Sequence, residues 1–112
     1  MTNQNMITLS VVKWHAKPKF RSRDRYEWCG EAYREDILVP ALLENEKVMV
    51  DLTGYNRYGR SFIDETFGGL IRSENFTLTE LNEKLTYKHD LLKSVEELIK
   101  ERLEAAENER IS

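Results

Sequence analysis

The sequence predicts an α/β fold in which helices pack on a small, mostly parallel or mixed sheet of three to five strands. Short segments rich in β-branched residues alternate along the chain with longer segments whose apolar residues recur at helical spacing. The predicted order of strand, helix, strand, helix, strand, helix is typical of parallel sheets with right-handed helical crossovers. We expect residues 1–112 to form a single domain, because this length is sufficient for an ordinary hydrophobic core.

The first strand is predicted at residues 6–12, and a basic loop at residues 13–28 follows it. Five basic residues of this loop occupy every second position, namely Lys17, Lys19, Arg21, Arg23 and Arg25. An extended chain would project all five along one side, as an anion-binding strip for phosphate, nucleic acid or an acidic partner. Alternatively, they belong to a solvated loop, or to an edge strand whose charges block unwanted pairing.

A helix is predicted from Gly30 to Glu44, because its apolar residues fall on one helical face. Pro40 lies within it, so we expect either a kink there or that the first part of the helix ends near Leu38. The apolar residues from Val48 onward then predict a short buried strand.

A polar turn with two glycines, Gly54 to Gly59, separates this strand from the central helix. Ser61 and Asp64 form an S-x-x-D pattern, which predicts that the helix begins with a capping box at Ser61. Its apolar stripe recurs at helical spacing and consists of Ile63, Phe67, Leu70 and Ile71.

The last third of the chain predicts a short helix, a strand and a long helix. Thr77 and Glu80 have the spacing of a second capping box, for a helix that ends near residue 83. The segment Leu85–Lys88 has strand propensity. Asp90 is the predicted cap of a C-terminal helix at residues 90–108.

Composition and charge exclude several classes of function. A net charge of −3 argues against a general nucleic-acid binder, although a local basic site is compatible with it. The single cysteine, Cys29, cannot form an internal disulfide, which favours a reducing compartment. We find neither a signal-peptide pattern nor an apolar run near the ~20 residues that a membrane span needs. We therefore expect a cytoplasmic protein.

No pattern of residues predicts catalysis. The two histidines, His15 and His89, lack metal-ligand spacing, and the chain contains no phosphate-binding glycine motif. Cys29 has no histidine in a nucleophile motif. We therefore expect no catalytic residue, no metal site and no cofactor. The alternative is a small enzyme that uses Asp64 or Glu65 as a general base.

The best candidate site lies after the second strand, because sites in parallel sheets collect where strands end and the next helices begin. Tyrosine and arginine are enriched in protein interfaces, and the loop carries both. Asp64 and Glu65 lie near the predicted start of the central helix. Acidic side chains there interact favourably with the helix dipole, so helix capping is the alternative role of these two carboxylates. The predicted partner-binding residues are Tyr55, Arg57, Tyr58, Arg60, Ser61, Asp64 and Glu65.

Three segments, GEAYREDILVPALLE, VMVDLTG and SFIDETFGGLI, resemble the STAS-like domain family of unknown function, which is related to the STAS domains of anti-sigma-factor antagonists. The resemblance implies a STAS-like fold and a non-catalytic regulatory module of bacterial or phage signalling. It also implies a protein partner, such as a histidine-kinase-like ATPase. The alternative function is nucleic-acid or nucleotide binding through residues 17–25.

In the antagonist proteins, a serine at the start of the corresponding helix is phosphorylated, which repels the ATPase partner. Glu65 occupies that serine's position here and cannot be phosphorylated. The resemblance therefore leaves Thr66 and Ser61 as the possible phosphorylation sites.

Overall fold

The computed structural model describes residues 5–112 and contains three parallel strands and five helices in that range. The strands are β1 (Met6–Ser10), β2 (Lys47–Asp51) and β3 (Leu85–Lys88). The helices are α1 (Val11–Trp14), α2 (residues 30–44), α3 (residues 60–72), α4 (Leu78–Lys84) and α5 (Lys93–Ile111). The predicted α/β fold with a small parallel sheet is confirmed.

The sheet has the strand order β1-β2-β3, with β2 in the centre. Val48 pairs with Ile7 on one side and with Leu85 on the other. Val48, Val50 and Leu85 are buried, whereas Thr8 and Thr86, whose side chains point to the opposite face, are exposed. The helices therefore cover one face of the sheet.

The hydrophobic core lies between that face and the helices. Most of the largest fully buried side chains are contributed by α2, α3, α4 and α5. They include Tyr33, Leu38, Leu42, Phe62, Ile63, Phe67, Leu70, Leu81 and Ile99, with Leu52 following β2. The apolar stripe predicted for the central helix is thus buried as expected. None of the helices in residues 5–112 is long and apolar enough to cross a membrane.

Both long central helices contain a π-helical segment, Arg34–Leu38 in α2 and Asp64–Gly68 in α3. The helical backbone of α2 continues through Pro40 to Glu44, and the boundary predicted near Leu38 corresponds to the change from the π-helical segment to a regular α-helix at Val39. The wider turns just before Pro40 rearrange the hydrogen bonds that a proline disrupts in a regular α-helix.

Glycines allow α2 and α3 to approach each other closely. A Cβ atom at Gly30 would lie 2.8 Å from the carbonyl oxygen of Phe62, and a Cβ atom at Gly69 would overlap the guanidinium of Arg34. A larger residue at Gly30 would therefore force the two helices apart, and one at Gly69 would displace the Arg34 side chain. This packing explains why the second half of α3 contains Gly69, despite its low helix propensity. A Cβ atom at Gly68 would instead lie 2.7 Å from the Arg72 guanidinium and 2.9 Å from the Asp64 carboxylate of the same helix.

The two predicted capping boxes have different outcomes. The side chains and backbones of Thr77 and Glu80 form the expected reciprocal pair, with N···O distances of 3.2 and 2.8 Å. In contrast, α3 begins at Arg60 with Gly59 as its N-cap, and no side chain of the described chain caps it. Ser61 is therefore not the cap, because the Asp64 carboxylate binds arginines instead of returning to the helix start.

Three other predicted boundaries are wrong by a few residues. The first strand ends at Ser10 and gives way to α1, where Val11 joins the core. The last helix begins at Lys93 instead of at Asp90 and continues to Ile111. Asp90 is not its cap, since the N-cap position is Leu92 and the Asp90 carboxylate lies 3.3 Å from Lys88 instead.

Candidate functional site

The loop between β2 and α3 is anchored at the carboxyl edge of the sheet by His89. The Nδ1 atom of this buried side chain accepts from the amides of Leu91 and Leu92, at 3.2 and 3.0 Å. The proton therefore lies on Nε2, which donates to the carbonyl oxygen of Tyr55 at 2.9 Å. His89 thus ties the loop that follows β2 to the loop that follows β3.

The aromatic residues of the loop pack on each other and on the core. The rings of Tyr55 and Tyr58 meet edge to face with centroids 5.0 Å apart, and Tyr58 also contacts the buried Phe62. The hydroxyl groups of Tyr58 and of the core residue Tyr33 are buried without a hydrogen-bond partner in residues 5–112. Burial raises the pKa of both tyrosines. Tyr58 therefore supports the loop from below, while Tyr55 is only half-buried.

An open groove of about 340 Å³ separates this loop from the basic loop. Residues from 18–20 form one side, and residues from 55–62 form the other. We call it the loop groove. The exposed side chains of Arg57, Arg60 and Ser61 line it, together with Tyr55. Four of the seven residues predicted to bind a partner are therefore brought together around one concave surface.

Asp64 lies elsewhere, in a cluster of arginines. Its carboxylate is 2.9 Å from Arg21, 2.9 Å from Arg72 and 3.5 Å from Arg102, and the residue is only 7% exposed. Burial alone would raise the pKa of Asp64, but the hydrogen bonds from Arg21 and Arg72 outweigh it and lower the pKa. Asp64 is the fifth residue of α3 and is buried, so its interpretation as an exposed acid at the helix start is wrong.

Glu65 extends the same cluster towards α2. Arg34 donates to its carboxylate at 2.6 Å and to its backbone carbonyl at 2.7 Å, and Arg21 lies 3.1 Å from the other carboxylate oxygen. The Arg34 side chain is 3% exposed and also binds Glu74 at 3.0 Å. Glu65 is therefore partly buried among charged groups, and neither it nor Asp64 lines the loop groove.

The two predicted phosphorylation sites differ in their accessibility. Thr66 is 1% exposed, and its hydroxyl donates to the carbonyl oxygen of Gly30. A kinase cannot reach this hydroxyl in the folded chain, so Thr66 is wrong as a phosphorylation site. Ser61 is exposed at the start of α3, where it lines the loop groove.

The five basic residues at alternate positions do not form a strip. The segment from 15 to 29 turns repeatedly instead of extending, and Arg21 points to α3. Arg23 binds Glu35 and Asp36 on α2, at 2.9 and 3.0 Å. Arg25 lies over the ring of Phe20, while Lys17 and Lys19 are exposed. The predicted anion-binding strip is therefore wrong as a geometric unit, because two of its arginines neutralise acids of the same chain.

Residues 5–112 contain no group of three or more potential metal ligands from histidine, cysteine, aspartate and glutamate. Cys29 is buried, and its sulfur accepts from the amide of Ala32 at the start of α2, at 3.5 Å. The thiol is therefore part of the helix cap.

Sequence reasoning missed several residues that shape this region. Pro18 and Phe20 line the loop groove, His89 anchors its other side, and Arg72 and Arg102 hold Asp64. The pair Gly68-Gly69 in the middle of a helix could have predicted that another group packs closely against α3. It could not have identified that group as the Arg34 side chain. An aromatic residue between two bases, as at position 20, was the available signal for the groove.

The chain was compared with known protein families. The family described as STAS-like domain of unknown function (DUF4325) matches residues 30–90, which include α2, β2, the loop, α3, α4 and β3. The searches of curated proteins and of solved structures gave no match. The matched segment contains the second side of the loop groove, whereas the basic loop precedes it.

Proposed function

Because the chain belongs to the STAS-like domain family of unknown function, we propose that it is a non-catalytic regulatory module that binds another protein. The observation that carries this proposal is the exposed, well-anchored loop between β2 and α3. His89 and Phe62 hold the loop from below, while Arg57, Arg60 and Tyr55 remain available at its surface. Arginine and tyrosine side chains are enriched among the hot-spot residues of protein interfaces.

The partner that the family relationship favours is a histidine-kinase-like ATPase in a bacterial or phage cytoplasm. In the proposed complex, the ATPase contacts the loop and the first turn of α3. Ser61, the exposed hydroxyl of the two predicted phosphorylation sites, lies inside this contact. A phosphate there would add about −2 charge to the interface and would alter binding.

The role of Glu65 in this proposal is structural. Its carboxylate occupies the position of the regulated serine in the antagonist proteins, but it binds Arg34 and Arg21 within the same chain. Neutralising Glu65 or Asp64 would therefore disturb the packing of α2 on α3. Variants of these two acids cannot test a partner contact by themselves.

The test uses the full chain and the histidine-kinase-like ATPases of the genome that encodes it, with the dissociation constant measured by isothermal titration calorimetry. We expect Tyr55→Ala and Arg57→Ala each to weaken binding at least tenfold, because hot-spot side chains typically contribute more than about 1.4 kcal/mol. Lys100→Ala is the matched control, since Lys100 is an exposed cation on α5 and does not line the groove.

Circular dichroism and urea unfolding must show that each variant keeps the native fold. Absence of measurable binding by the wild-type chain would overturn the ATPase proposal. Equal binding by wild type, Tyr55→Ala and Arg57→Ala would show that the partner binds another surface.

A further inference from the structure

The distribution of paired and unpaired arginines singles out the loop groove. Among residues 5–112, six arginines lie within 4.0 Å of a carboxylate: Arg21, Arg23, Arg34, Arg72, Arg102 and Arg110. The three arginines of the described chain that have no carboxylate partner are Arg25, Arg57 and Arg60. Arg57 and Arg60 line the loop groove, and Arg25 lies 5.1 Å from the ring centroid of Phe20, which also lines it.

The remaining charge of the groove has the same sign. Lys19 lines the wall formed by the basic loop and has no ion-pair partner in the part of the chain that the structure describes. None of the acidic side chains in residues 5–112 lines the cavity. A chain with a net charge of −3 thus collects four uncompensated cations around one concave surface.

The wall formed by the basic loop is fixed in place. The amide of Lys19 donates to the carbonyl of Trp28, and the carbonyl of Phe20 accepts from the amide of Gly30, at 3.2 and 3.1 Å. Arg21 accepts a further backbone hydrogen bond from Glu31 and binds the carboxylate of Asp64 on α3. These bonds hold the ring of Phe20 at the groove with 41% of its surface exposed.

We propose that the loop groove binds an acidic segment of the partner protein, an inference that rests on the function proposed above. Carboxylates of the segment would pair with Arg57, Arg60 and Lys19, since charge-assisted hydrogen bonds to guanidinium groups are strong and directional. The exposed faces of Phe20 and Tyr55 would accommodate an apolar side chain between those carboxylates.

A protein segment fits this site better than a nucleic acid does. Nucleic-acid binders contact many phosphates along an extended basic surface. Here Arg21 and Arg23, which would extend the groove along the basic loop, bind Asp64, Glu35 and Asp36 instead. Within residues 5–112, the arginines that have no carboxylate partner lie at the groove or beside it, whereas the chain as a whole has a net charge of −3.

The test is selection of peptides from a random twelve-residue display library on the immobilised full chain. Parallel selections use the variant Arg57→Glu/Arg60→Glu and the control Lys100→Glu, which reverses an exposed cation outside the groove. We expect aspartate and glutamate to be enriched on wild type and on the control, and depleted on the groove variant. Urea unfolding checks that all three chains are equally folded.

One enriched peptide is then measured by fluorescence anisotropy, together with a version whose Asp and Glu are replaced by Asn and Gln. We expect the amide version to bind at least tenfold more weakly, and Arg57→Ala to lose at least tenfold for the acidic version. A lysine version of the peptide should bind Arg57→Glu/Arg60→Glu better than it binds wild type, since the charges are exchanged.

Enrichment without a preference for acidic residues would overturn the inference, as would tighter binding of a twelve-nucleotide oligothymidine than of the acidic peptide. If the acidic peptide fails while Tyr55→Ala still weakens the ATPase, the proposed function stands and the inference falls. If the acidic peptide binds and the ATPase does not, the groove is confirmed as an acid-binding site and the ATPase is the wrong partner.

Discussion

Replacement of Gly69 by alanine tests whether the Arg34 side chain is locked between α2 and α3. The added Cβ atom would lie 3.0 Å from both Cδ and Cζ of Arg34 and would overlap its Nη1 atom. A shift of a few tenths of an ångström cannot relieve this overlap, so the guanidinium has to leave its place. Glu65 and Glu74 would then lose the partner that binds them at 2.6 and 3.0 Å.

The expected loss follows from two opposing contributions. Breaking a buried, hydrogen-bonded ion pair typically costs about 3–5 kcal/mol. Alanine in place of glycine inside a helix favours folding by about 1 kcal/mol. We therefore expect Gly69→Ala to lower the free energy of unfolding by about 2–4 kcal/mol.

A double-mutant cycle separates the contact from a general effect of the substitution. With Arg34→Ala already present, the space beside Gly69 is free, and Gly69→Ala should raise stability by up to about 1 kcal/mol. The effect of Gly69→Ala thus changes sign between the two backgrounds. Urea unfolding, followed by circular dichroism, measures all four chains, and equal denaturant slopes show that the unfolded states are comparable.

Arg57→Ala is the control for Arg34→Ala in this cycle, because it also removes an arginine, but one that lies in the exposed groove. Gly69→Ala should be as destabilising there as in the wild-type chain. If its effect were equally large with Arg34→Ala, then the clash would not involve Arg34, and the described packing of α2 on α3 would be refuted.

Two further predictions concern buried polar groups. Tyr33→Phe should leave stability unchanged or raise it by up to about 1 kcal/mol, because the hydroxyl has no hydrogen-bond partner within residues 5–112. A decrease of more than about 1 kcal/mol in the free energy of unfolding, measured with urea, would contradict this prediction. The stability difference between wild type and Asp64→Asn should be largest near pH 7 and should narrow in acid. The pKa of Asp64 is lowered on folding, so its contribution is present above the unfolded value of about 3.9 and is lost as pH falls through the folded value. Urea unfolding at several values between pH 2 and 7 measures this, and a difference independent of pH would refute it.

The fold was predictable because its signals are local. The strand at Val48 and Val50 follows from a short apolar run, and the stripe through Ile63 and Phe67 follows from helical spacing. Neither signal needs information from distant parts of the chain. The sequence therefore predicts the order of the strands and of every helix except α1, and hence a parallel sheet, without any knowledge of side-chain contacts.

The two S/T-x-x-[DE] patterns show where local reasoning stops. Thr77 and Glu80 form hydrogen bonds with each other, whereas Asp64 forms ion pairs with Arg21 and Arg72. Arg21 is 43 residues away from Asp64 along the chain. A partner at that distance leaves no trace in the four-residue pattern, so the sequence predicts a cap where the structure forms an ion pair.

The loop groove was predictable only in part for the same reason. The arginines of residues 54–61 suggested a binding surface, but which arginines of the chain remain uncompensated depends on tertiary pairing. Arg23 and Arg57 are both exposed bases in loops, and only the contact of Arg23 with Glu35 and Asp36 distinguishes them. The basic loop, which the sequence predicted as a separate, alternative binding site, forms one wall of the groove.

Arg21 connects the buried ion-pair cluster to the loop groove. Through this connection, Asp64 and Glu65 affect binding indirectly, by positioning the groove, instead of contacting a partner. Arg21 follows Phe20 directly, and its guanidinium binds both carboxylates on α3. The first turn of α3 carries Arg60 and forms the opposite wall of the groove. The ion pairs therefore fix the separation of the two walls, because they tie the chain beside Phe20 to the helix that carries Arg60. The acids that the sequence identified as contacts for a partner thus position the surface that we propose for it.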